Sequence, residues 1–461
     1  MALRIRRLDT RSPQTTAELD ALREKLSPRG DIVSEAGRKK TIEVFGEPLS
    51  PQQVVEKICS EVRDQGIDAV LDYSRRIDGA DLSVETIRVS AEELAAAHKS
   101  IDQEFLTAVR RIRNNITRFQ EALLPQATRI ELDGGWLAQQ YQPLARVGIC
   151  VPGGAAAYPS TVLMTAVPAQ TAGVQQIAVF APPTPFGANN PHLLATCCEL
   201  GVSEVYRLGG AQGVATMAFG VEGIPRVDKI VGPGNLFVAL AKKHVYGEVD
   251  IDSIAGPSEV VVIADAASRT DWTAADLIAQ AEHAPGSAIL LSWDEAFVDQ
   301  VYQELERLLG TLDRGDLARE SLEAFGALVL VKDRDEACRL ANVLATEHLH
   351  VSASNAESML PQLKNAGAVF VGSHSPVAVG DYWAGPSHVL PTGGTARFTS
   401  GLSATAFLRS HSVIKFSDRD LTAAADDVAL LASLEGLTAH RESVVIRNAE
   451  AASPKKHDDE A

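Results

Sequence analysis

Cysteine is scarce in this sequence, and its few cysteines show no pairing motif. They are Cys59, Cys150, Cys197, Cys198 and Cys338. No two of them are spaced as Cys-x-x-Cys, and their number is odd. This pattern argues against a disulfide framework and favours a reducing compartment, so we expect the protein to be cytoplasmic.

Long apolar runs and dense basic runs are also missing. No apolar stretch approaches the about 20 residues that a membrane-spanning helix needs. The start, Met1 to Arg7, is basic but is not followed by an apolar segment, so we expect no signal peptide. The formal net charge is −17, and lysine and arginine form no cluster. Nucleic acid and anionic membranes are therefore poor candidate partners.

The composition that remains is that of a globular protein with more than one domain. The chain has 461 residues, of which 45% are hydrophobic and 22% charged. From residue 147 onward short apolar runs alternate with helix-like stretches, which predicts an α/β fold with parallel sheets covered on both faces. The runs are Val147–Val151, Ile177–Phe180, Val205–Leu208, Lys229–Val231, Val260–Ile263, Ala288–Leu291, Leu328–Val331 and Val369–Val371.

We predict two Rossmann-like domains with parallel sheets, together with small helical N- and C-terminal segments. Helices are expected to begin at Ser50-Pro51, a cap followed by proline, and at the capping-box pattern from Ser90 to Glu93. The expected segments are an N-terminal arm (1–45), a helical part (46–145), the first α/β domain (146–236), the second (237–394), a C-terminal helical segment (395–449) and a disordered tail (450–461).

Three glycine-rich loops follow predicted strands in the first α/β domain. They are Val151–Gly154, Gly209–Gly213 and Val231–Asn235. Ligands of open α/β sheets bind beyond the carboxyl ends of strands, and glycine lets the backbone approach them closely. Tight turns alone would explain any one loop, but three together favour a ligand platform. No G-x-G-x-x-G motif occurs, so a dinucleotide would bind in an unorthodox way.

The segment from Asp271 to His283 is predicted to be a helix with a polar face that carries Asp276, Gln280 and His283. Gln280 and His283 can reach one point at the helix C-terminus, where an amide oxygen and an imidazole form part of a ligand set for Zn²⁺ or Mn²⁺. Asp276 could orient one of them through a hydrogen bond. The plainer alternative is a solvated face whose histidine is favoured by the helix dipole.

Glu347 and His348 stand side by side just before a predicted strand. A carboxylate beside an imidazole supplies both partners of a proton transfer, and histidine titrates near neutral pH. His350 would share the strand face of His348. The plainer alternative is a surface pair at the start of a strand.

Two further segments carry candidate ligands. The irregular stretch Val379–Arg397 is too long and too rich in aromatic and apolar residues for a plain linker, and it offers the carboxylate of Asp381 and the imidazole of His388. Glu435 and His440 flank a glycine that ends one predicted helix before the next begins. For this last pair, ordinary cap chemistry is the plainer alternative.

Together these segments resemble the histidinol dehydrogenase family from about residue 30 to residue 447. Their order and joint presence are more specific than any one of them. The motifs are VPGGAAAYPSTVLMTAVPA, GGAQG, KIVGPGN, AGPSEV, DLIAQAEHAPGS, EHL, GDYWAGPSHVLPTGGTARFTSGLS and EGLTAH.

The resemblance implies a four-electron oxidation in two steps. The primary alcohol of histidinol becomes a bound aldehyde and then the carboxylate of histidine, with two NAD⁺ used in succession. It further implies one zinc ion that holds the substrate's imidazole and amine, and a domain-swapped homodimer with shared active sites. Segment 146–236 would be the NAD side, and segment 395–449 would contribute to the partner's site.

The resemblance also assigns roles by motif position. His348 would take the alcohol proton, and Glu347 would help to activate water on the aldehyde. The metal ligands would be Gln280, His283, Asp381 and, from the partner chain, His440. The substrate contacts would be Ser258, His348, His388 and Glu435. The cofactor contacts would be Cys150, Gln212 and Asn235.

The sequence departs from the family pattern at a few positions, and alternatives remain open. Cys150 stands where the family often has a tyrosine, and Thr346 and His350 differ from the usual Pro-Glu-His-Leu-Glu. One alternative is a paralogue that oxidises another small alcohol, such as a sulfonated diol. A second is a zinc hydrolase that uses Glu347 and His348, but it leaves the glycine-rich loops unexplained. A binding or scaffold role fits least, because many titratable groups converge on loops at the ends of strands.

Overall fold

The computed structural model of the chain describes residues 2–25, 35–154, 156–283 and 285–451. The chain forms two compact units, one made of Met1–Leu123 with Leu144–Phe407 and the other of Leu124–Pro143 with Leu408–Ala461. The strands are β1 (Arg6–Asp9), β2 (Thr128–Glu131), β3 (Trp136–Pro143), β4 (Arg146–Cys150), β5 (Gln176–Phe180), β6 (Glu204–Tyr206), β7 (Lys229–Val231), β8 (Asp250–Ile251), β9 (Ser258–Ile263), β10 (Gly286–Ser292), β11 (Ala327–Leu330), β12 (His348–Val351), β13 (Ala368–Val371) and β14 (Leu408–Lys415).

The helices fall mostly between these strands. They are α1 (Thr15–Lys25), α2 (Glu35–Phe45), α3 (Pro51–Gln65), α4 (Ile67–Asp78), α5 (Ala91–Ser100), α6 (Gln103–Ala122), α7 (Pro159–Ala172), α8 (Pro191–Glu199), α9 (Gly210–Phe219), α10 (Leu236–Val245), α11 (Thr270–Ala281), α12 (Glu295–Leu309), α13 (Gly315–Phe325), α14 (Arg334–Leu344), α15 (Val377–Tyr382), α16 (Asp418–Leu434) and α17 (Thr438–Ala451). Among the described residues, no helix is both long enough and apolar enough to span a lipid bilayer.

The larger unit contains two parallel sheets with the same strand order. The first runs β6-β5-β4-β7-β8 and the second β1-β11-β10-β9-β12-β13. Numbered along the chain within each sheet, both follow the order 3-2-1-4-5, and β1 is an extra parallel strand at the β11 edge of the second. This order places a topological switch point between β4 and β7 and another between β9 and β12. The predicted Rossmann-like α/β class is confirmed.

Alternation along β9 shows why the second sheet is covered on both faces. Val260 and Val262 pack into the core that contains α11 and α12, while Val261 and Ile263 pack into the core that contains α14. Successive side chains of a strand point to opposite faces, and burying each such aliphatic side chain stabilises the fold by roughly 1.5–3 kcal/mol. An uninterrupted apolar run therefore specifies a central strand with helices on either side.

The predicted helix starts are confirmed. Ser50 caps α3 with Pro51 in its first turn, and Ser90 and Glu93 form the capping box that begins α5. In both, the cap hydroxyl accepts a backbone N–H that the first helical turn leaves without a partner.

The second unit corrects the predicted C-terminal helical segment. β14 lies within residues 395–449 and pairs antiparallel with β3, which also pairs with β2. The segment 46–145, predicted to be mainly helical, accordingly ends in strands β2 and β3. Alternation is poor in these strands because much of each is exposed, so apolar periodicity gave no signal. The predicted tail, 450–461, lies outside the described residues from residue 452 on.

Candidate active site

The candidate active site lies at the amino ends of strands in the second sheet. Ser258 begins β9, His348 begins β12, and Gln280 is in the last turn of α11. Because α11 connects two parallel strands, it runs opposite to them and returns its C-terminus to their amino ends. The glycine-rich loops of the first sheet follow the carboxyl ends of their strands, where ligands were expected, whereas this candidate site lies at the opposite ends.

A chain of hydrogen bonds joins the residues of this edge. Gln280 Nε2 donates to Ser258 Oγ at 2.6 Å, and Ser258 Oγ donates to Glu347 Oε2 at 2.5 Å. His348 Nδ1 lies 3.0 Å from Gln280 Oε1, an oxygen that only accepts, so Nδ1 carries the proton. Its Nε2 therefore keeps a lone pair, and this buried atom has no hydrogen-bond partner among the described residues.

Burial shifts the pKa values of Glu347 and His348 in opposite directions, because it disfavours the charged form of each group. It raises the pKa of Glu347 to about 7, against the opposing hydrogen bonds from Ser258 and the backbone N–H of Glu259. Burial also lowers the pKa of His348, although the charge of Asp381 opposes this shift. Near neutral pH the imidazole is thus a neutral base, and the carboxyl group exchanges its proton readily.

Asp381 and His388 bring two more groups to the site. Asp381, on α15, has Oδ1 3.7 Å from His348 Nε2, and burial raises the pKa of its carboxyl group to about 6. Burial lowers the pKa of His388 to about 4, and its buried Nε2 has no hydrogen-bond partner among the described residues. Buried polar groups left without partners are typical of a site that receives a ligand.

Three cavities meet at this edge. One, of about 560 Å³, is lined by Ser258, Glu347, His348, Asp381 and His388. A second, of about 490 Å³, is lined by Gln280, His283 and Asp381. A third, of about 630 Å³, is lined by the three glycine-rich loops and by Cys150, Gln212 and Asn235. Tyr158 and His283 line all three, so the cavities adjoin one another.

The third cavity has the features of a phosphate cradle. Gly232 itself lines the first cavity, and the residues after it, Pro233–Asn235, line the third. Its φ is +102°, and a Cβ there would stand 2.3 Å from the Cys150 carbonyl oxygen. Only glycine lets the chain turn this tightly between the ends of β4 and β7. Helix α9 begins at this cavity with no side-chain cap at Gly209, which leaves N–H groups of its first turn for an anion.

Two of the expected cofactor residues also have structural partners. Gln212 Nε2 donates to Asp78 Oδ2 at 2.9 Å, and Asn235 Oδ1 caps α10 by accepting the Val238 N–H at 3.1 Å. Burial raises the pKa of the Cys150 thiol to about 12, so this cysteine is not a nucleophile.

The donors expected for a metal lie partly together. Gln280, His283 and Asp381 line one cavity and offer an amide oxygen, an imidazole nitrogen and a carboxylate oxygen. Across the described part of the chain, no three histidine, cysteine, aspartate or glutamate side chains form a group that could hold a metal ion. Within the larger unit the expected set contains only two such residues, His283 and Asp381. Burial raises the pKa of the Asp381 carboxyl group, because no full counter-charge lies beside it.

The last two expected site residues belong to the second unit. Glu435 follows α16 and His440 lies in the first turn of α17, and both are exposed. Gly436, with a φ of +73°, ends α16 as predicted. Their part in the site stays a prediction.

Some features of the site escaped sequence analysis. The helix pattern suggested that Asp276 orients Gln280 or His283. Asp276 instead contacts His350 at 2.9 Å. Lys242 and Asp252 form a buried ion pair behind the Gly232 loop. Neither contact has a sequence signal, because each joins separate elements. Tyr158 follows one of the glycine-rich loops, and that position alone could have drawn attention to it.

These observations define a class of protein: an α/β enzyme with a proton-transfer pair beside a cofactor-sized cavity. The model of the histidinol dehydrogenase family matches residues 47–448, and the chain belongs to that family. The predicted family is thereby confirmed, and with it the enzyme class, a dehydrogenase.

Relatives cover the chain almost end to end. Histidinol dehydrogenase of Rhodopirellula baltica is 58% identical over 447 residues, which are 96% of this chain and 97% of that protein. The enzyme of Heliobacterium mobile is 46% identical over 412 residues, with 89% and 96% covered. A crystal structure of histidinol dehydrogenase from Elizabethkingia anophelis matches with a TM-score of 0.87 at 31% identity and covers 98% of this chain and 100% of that one.

Proposed function

We propose that this chain oxidises histidinol to histidine through histidinal, using two NAD⁺ in succession and one bound Zn²⁺ or Mn²⁺ ion. The observation that carries the proposal is the placement of Glu347 and His348 in a cavity that adjoins the glycine-lined one through Tyr158 and His283. Acid–base groups and a phosphate cradle within one site are what an NAD-linked oxidation requires. The names and high identity of the relatives support the same substrate.

In the first step His348 acts as the base. Its Nε2 lone pair takes the hydroxyl proton while the carbinol carbon gives up a hydride, so that the alcohol becomes an aldehyde. Gln280 fixes the imidazole in the required tautomer through the 3.0 Å contact to Nδ1. Bound NAD⁺ would accept the hydride in this step and again in the next.

In the second step Glu347 acts on water. Its ionised carboxylate takes a proton from the water that adds to the aldehyde carbon. The resulting hydrate anion then loses a hydride and becomes the carboxylic acid. Ser258 and the Glu259 N–H hold Oε2 of Glu347 in place, at 2.5 and 3.0 Å. His388 and Ser258 line the same cavity and would contact the substrate, together with Glu435 of a second copy.

The residues present fit both absent groups. Gln280, His283 and Asp381, with His440 of a second copy, would hold the cation, which would template the substrate through its imidazole and amine. The carboxylate of Asp381, buried without a full counter-charge, fits a cation site. Cys150, Gln212 and Asn235, around the uncapped start of α9, would contact the cofactor.

We further propose a cytoplasmic homodimer with shared active sites. All five cysteines are free thiols, which fits a reducing compartment. Helices α16 and α17 expose large apolar side chains, among them Leu431, Leu434 and Ile446 at 61, 75 and 56%. Apolar patches of this kind mark association surfaces, and a second copy of the chain would cover them.

The direct test follows NADH formation by absorbance with NAD⁺ and histidinol, with and without a chelator. We expect two NADH per histidinol consumed, and loss of the signal after chelation. No NADH from histidinol would overturn the proposal. NADH from other alcohols only, such as a sulfonated diol, would replace the substrate but keep the enzyme class.

The metal ligands are tested by bound-metal analysis of Gln280→Ala and His440→Ala. Each variant is expected to lose metal and activity together, because removal of one of four ligands opens the site. His374→Ala, an exposed histidine outside the proposed set, is the control and should keep its metal. Full occupancy in both ligand variants would contradict the assignment.

A further inference from the structure

His350 is a buried histidine to which the proposed reaction gives no role. It is 2% exposed and lies on β12, two residues after His348 and on the same face of the strand. Its Nε2 lies 3.0 Å from the Gly372 carbonyl oxygen, and its Nδ1 lies 2.9 Å from Asp276 Oδ2.

These two contacts fix the charge of the ring. A carbonyl oxygen only accepts, so Nε2 carries a proton, and a nitrogen facing a carboxylate at 2.9 Å carries one as well. The Nδ1 contact is a charge pair whose angle departs from that of a linear hydrogen bond. Burial lowers the pKa of His350, but its interaction with Asp276 outweighs burial and leaves the pKa raised. The contact with Asp276 therefore favours the protonated form of His350.

The His350 ring contacts α11 and the connection between β13 and α15 from its place on β12. Asp276 lies one turn before Gln280 on α11, and His350 shares β12 with His348. Gly372 follows β13 and begins the connection to α15, which carries Asp381. One buried side chain thus contacts α11, which carries Gln280, and the connection that leads to Asp381, from the strand that carries His348.

We propose that His350 is a positioning residue, a buried cross-link to Asp276 and Gly372 that holds Gln280, His348 and Asp381 at fixed mutual positions. The inference rests on the proposed function in so far as those three residues form the site. A cross-link that served stability alone would lower the folding free energy without changing the geometry of the site.

The chain provides a matched comparison in the pair of His98 and Glu199. His98 Nε2 lies 2.7 Å from Glu199 Oε2, and the pair joins α5 to α8, neither of which carries a proposed site residue. His98→Gln therefore removes a histidine–carboxylate contact that is partly exposed, from the same unit and without touching the site.

The experiment compares His350→Gln, Asp276→Asn, the double variant and His98→Gln as full-length proteins. Zn²⁺ affinity of the metal-free proteins is measured by competition with a chromophoric chelator, along with kcat and the KM values. We expect His350→Gln to lose about tenfold or more in Zn²⁺ affinity and in kcat, as orienting residues of a site do. The KM for NAD⁺ should stay within about threefold, because the cofactor cavity belongs to the first sheet. The double variant should be no worse than the poorer single variant.

A purely structural His350 would give a different pattern. Zn²⁺ affinity and kcat would then match those of His98→Gln at equal loss of thermal stability, and that result would overturn the proposal. Backbone hydrogen exchange of metal-free protein separates the inference from the proposed function. Faster exchange in the last turns of α11 in His350→Gln, but not in His98→Gln, supports the cross-link even if the parent neither binds Zn²⁺ nor oxidises histidinol. Unchanged exchange there contradicts it.

Discussion

Two shielded carboxyl groups of this chain have pKa values displaced in opposite directions. The side chains of Glu199 and Glu347 are 12 and 9% exposed. Hydrogen bonds from Arg110 and His98 lower the pKa of Glu199 to about 2, whereas burial without a cationic partner raises that of Glu347 to about 7. The partner, and not burial alone, decides the direction. Glu199 is held in its charged form for structure, and Glu347 is left able to move a proton.

Glu347→Gln is expected to abolish most aldehyde oxidation. The amide cannot take a proton from water, so NADH formation from histidinal should fall by about 100-fold or more. In the parent this rate should rise as the pH increases through about 7, because only the ionised carboxylate is a base. The variant should lack that rise. Single-turnover NADH formation between pH 6 and pH 8.5, values on either side of about 7, measures both effects.

The same substitution should lower activity but raise the free energy of unfolding at alkaline pH. A carboxyl group whose pKa is raised in the folded state contributes stability below the unfolded pKa of about 4.3, and this is lost as the pH rises through the folded pKa of about 7. Glu347→Gln should therefore resist urea better than the parent at alkaline pH. Glu357→Gln, an exposed carboxylate, is the control. An unchanged pH profile in Glu347→Gln would remove the assigned role.

The chemical roles of residues that are near neighbours in the sequence could be predicted from it. Contacts between residues of separate elements could not. The adjacent Glu347 and His348, and the helical spacing of Gln280 and His283, are visible in the string because the partners are near neighbours. The partner of Asp276 is not, since His350 belongs to another element. Spacing shows which groups share a face, but pairing across elements depends on how helices pack on sheets.

At the scale of elements, a buried ion pair secures the Gly232 loop. This loop lies between the glycine-lined cavity and the cavity of Glu347 and His348. Lys242 Nζ bonds Asp252 and, at 3.1 Å, the Gly232 carbonyl oxygen, while Asp252 Oδ2 accepts the Gly232 N–H at 2.7 Å. The side chains of the pair are 2 and 4% exposed. Removing one charge leaves the other buried and unpaired.

Lys242→Met should destabilise the protein by about 3–5 kcal/mol and weaken NAD⁺ binding. Lys229→Met is the matched control, because its partner Asp250 is half exposed and that pair should contribute less than about 1 kcal/mol. Urea unfolding and NAD⁺ titration measure the two effects. Adding Asp252→Asn to Lys242→Met should recover part of the loss. Equal losses for Lys242→Met and Lys229→Met would contradict the argument.

Gly232→Ala tests the turn itself, with Gly247→Ala as its control. The two glycines have φ values of +102° and +108°, so an alanine is strained similarly at both. A Cβ at Gly232 would stand 2.3 Å from the Cys150 carbonyl oxygen, whereas at Gly247 no atom lies within 4 Å. We expect Gly232→Ala to lose more stability than Gly247→Ala and to lose NAD⁺ affinity by about tenfold, since the loop must move. Similar titration curves for both variants would show that the close approach is unimportant.

Strands made of apolar runs were predictable from the sequence, and the short polar strands β1 and β8 were not. The apolar runs that became β4, β5, β9 and β10 are buried on both faces, so their composition alone marks them. β1 and β8 are short, with polar residues, and owe their strand conformation to a neighbour distant in sequence. Local pattern carries no signal for such pairing.

At the scale of the whole chain, the two parallel sheets share one strand order but face the proposed site with opposite ends of their strands. The first sheet presents the carboxyl ends of β4 and β7 to the glycine-lined cavity. The second presents the amino ends of β9 and β12 to the substrate cavity. A general rule about strand ends therefore locates one half of the site only. The other half of the proposed site was predicted from its residue chemistry.

Mixing two inactive variants tests the proposed sharing of active sites between copies. Glu347→Gln and His440→Ala are purified separately, mixed, dissociated in mild denaturant and allowed to reassociate. If each site takes Glu347 from one copy and His440 from the other, a mixed dimer contains one intact site and one doubly altered site. Random reassociation should then restore about a quarter of the parent's activity. If both residues serve the site of their own copy, every site carries one lesion and activity stays at the level of the separate variants.

A mixture of Glu347→Gln with Gln280→Ala is the matched control. Both of its lesions lie in the larger unit, so no dimer regains an intact site and no recovery is expected. Recovery in this control, or none in the first mixture despite exchange of subunits, would contradict a site built from two copies.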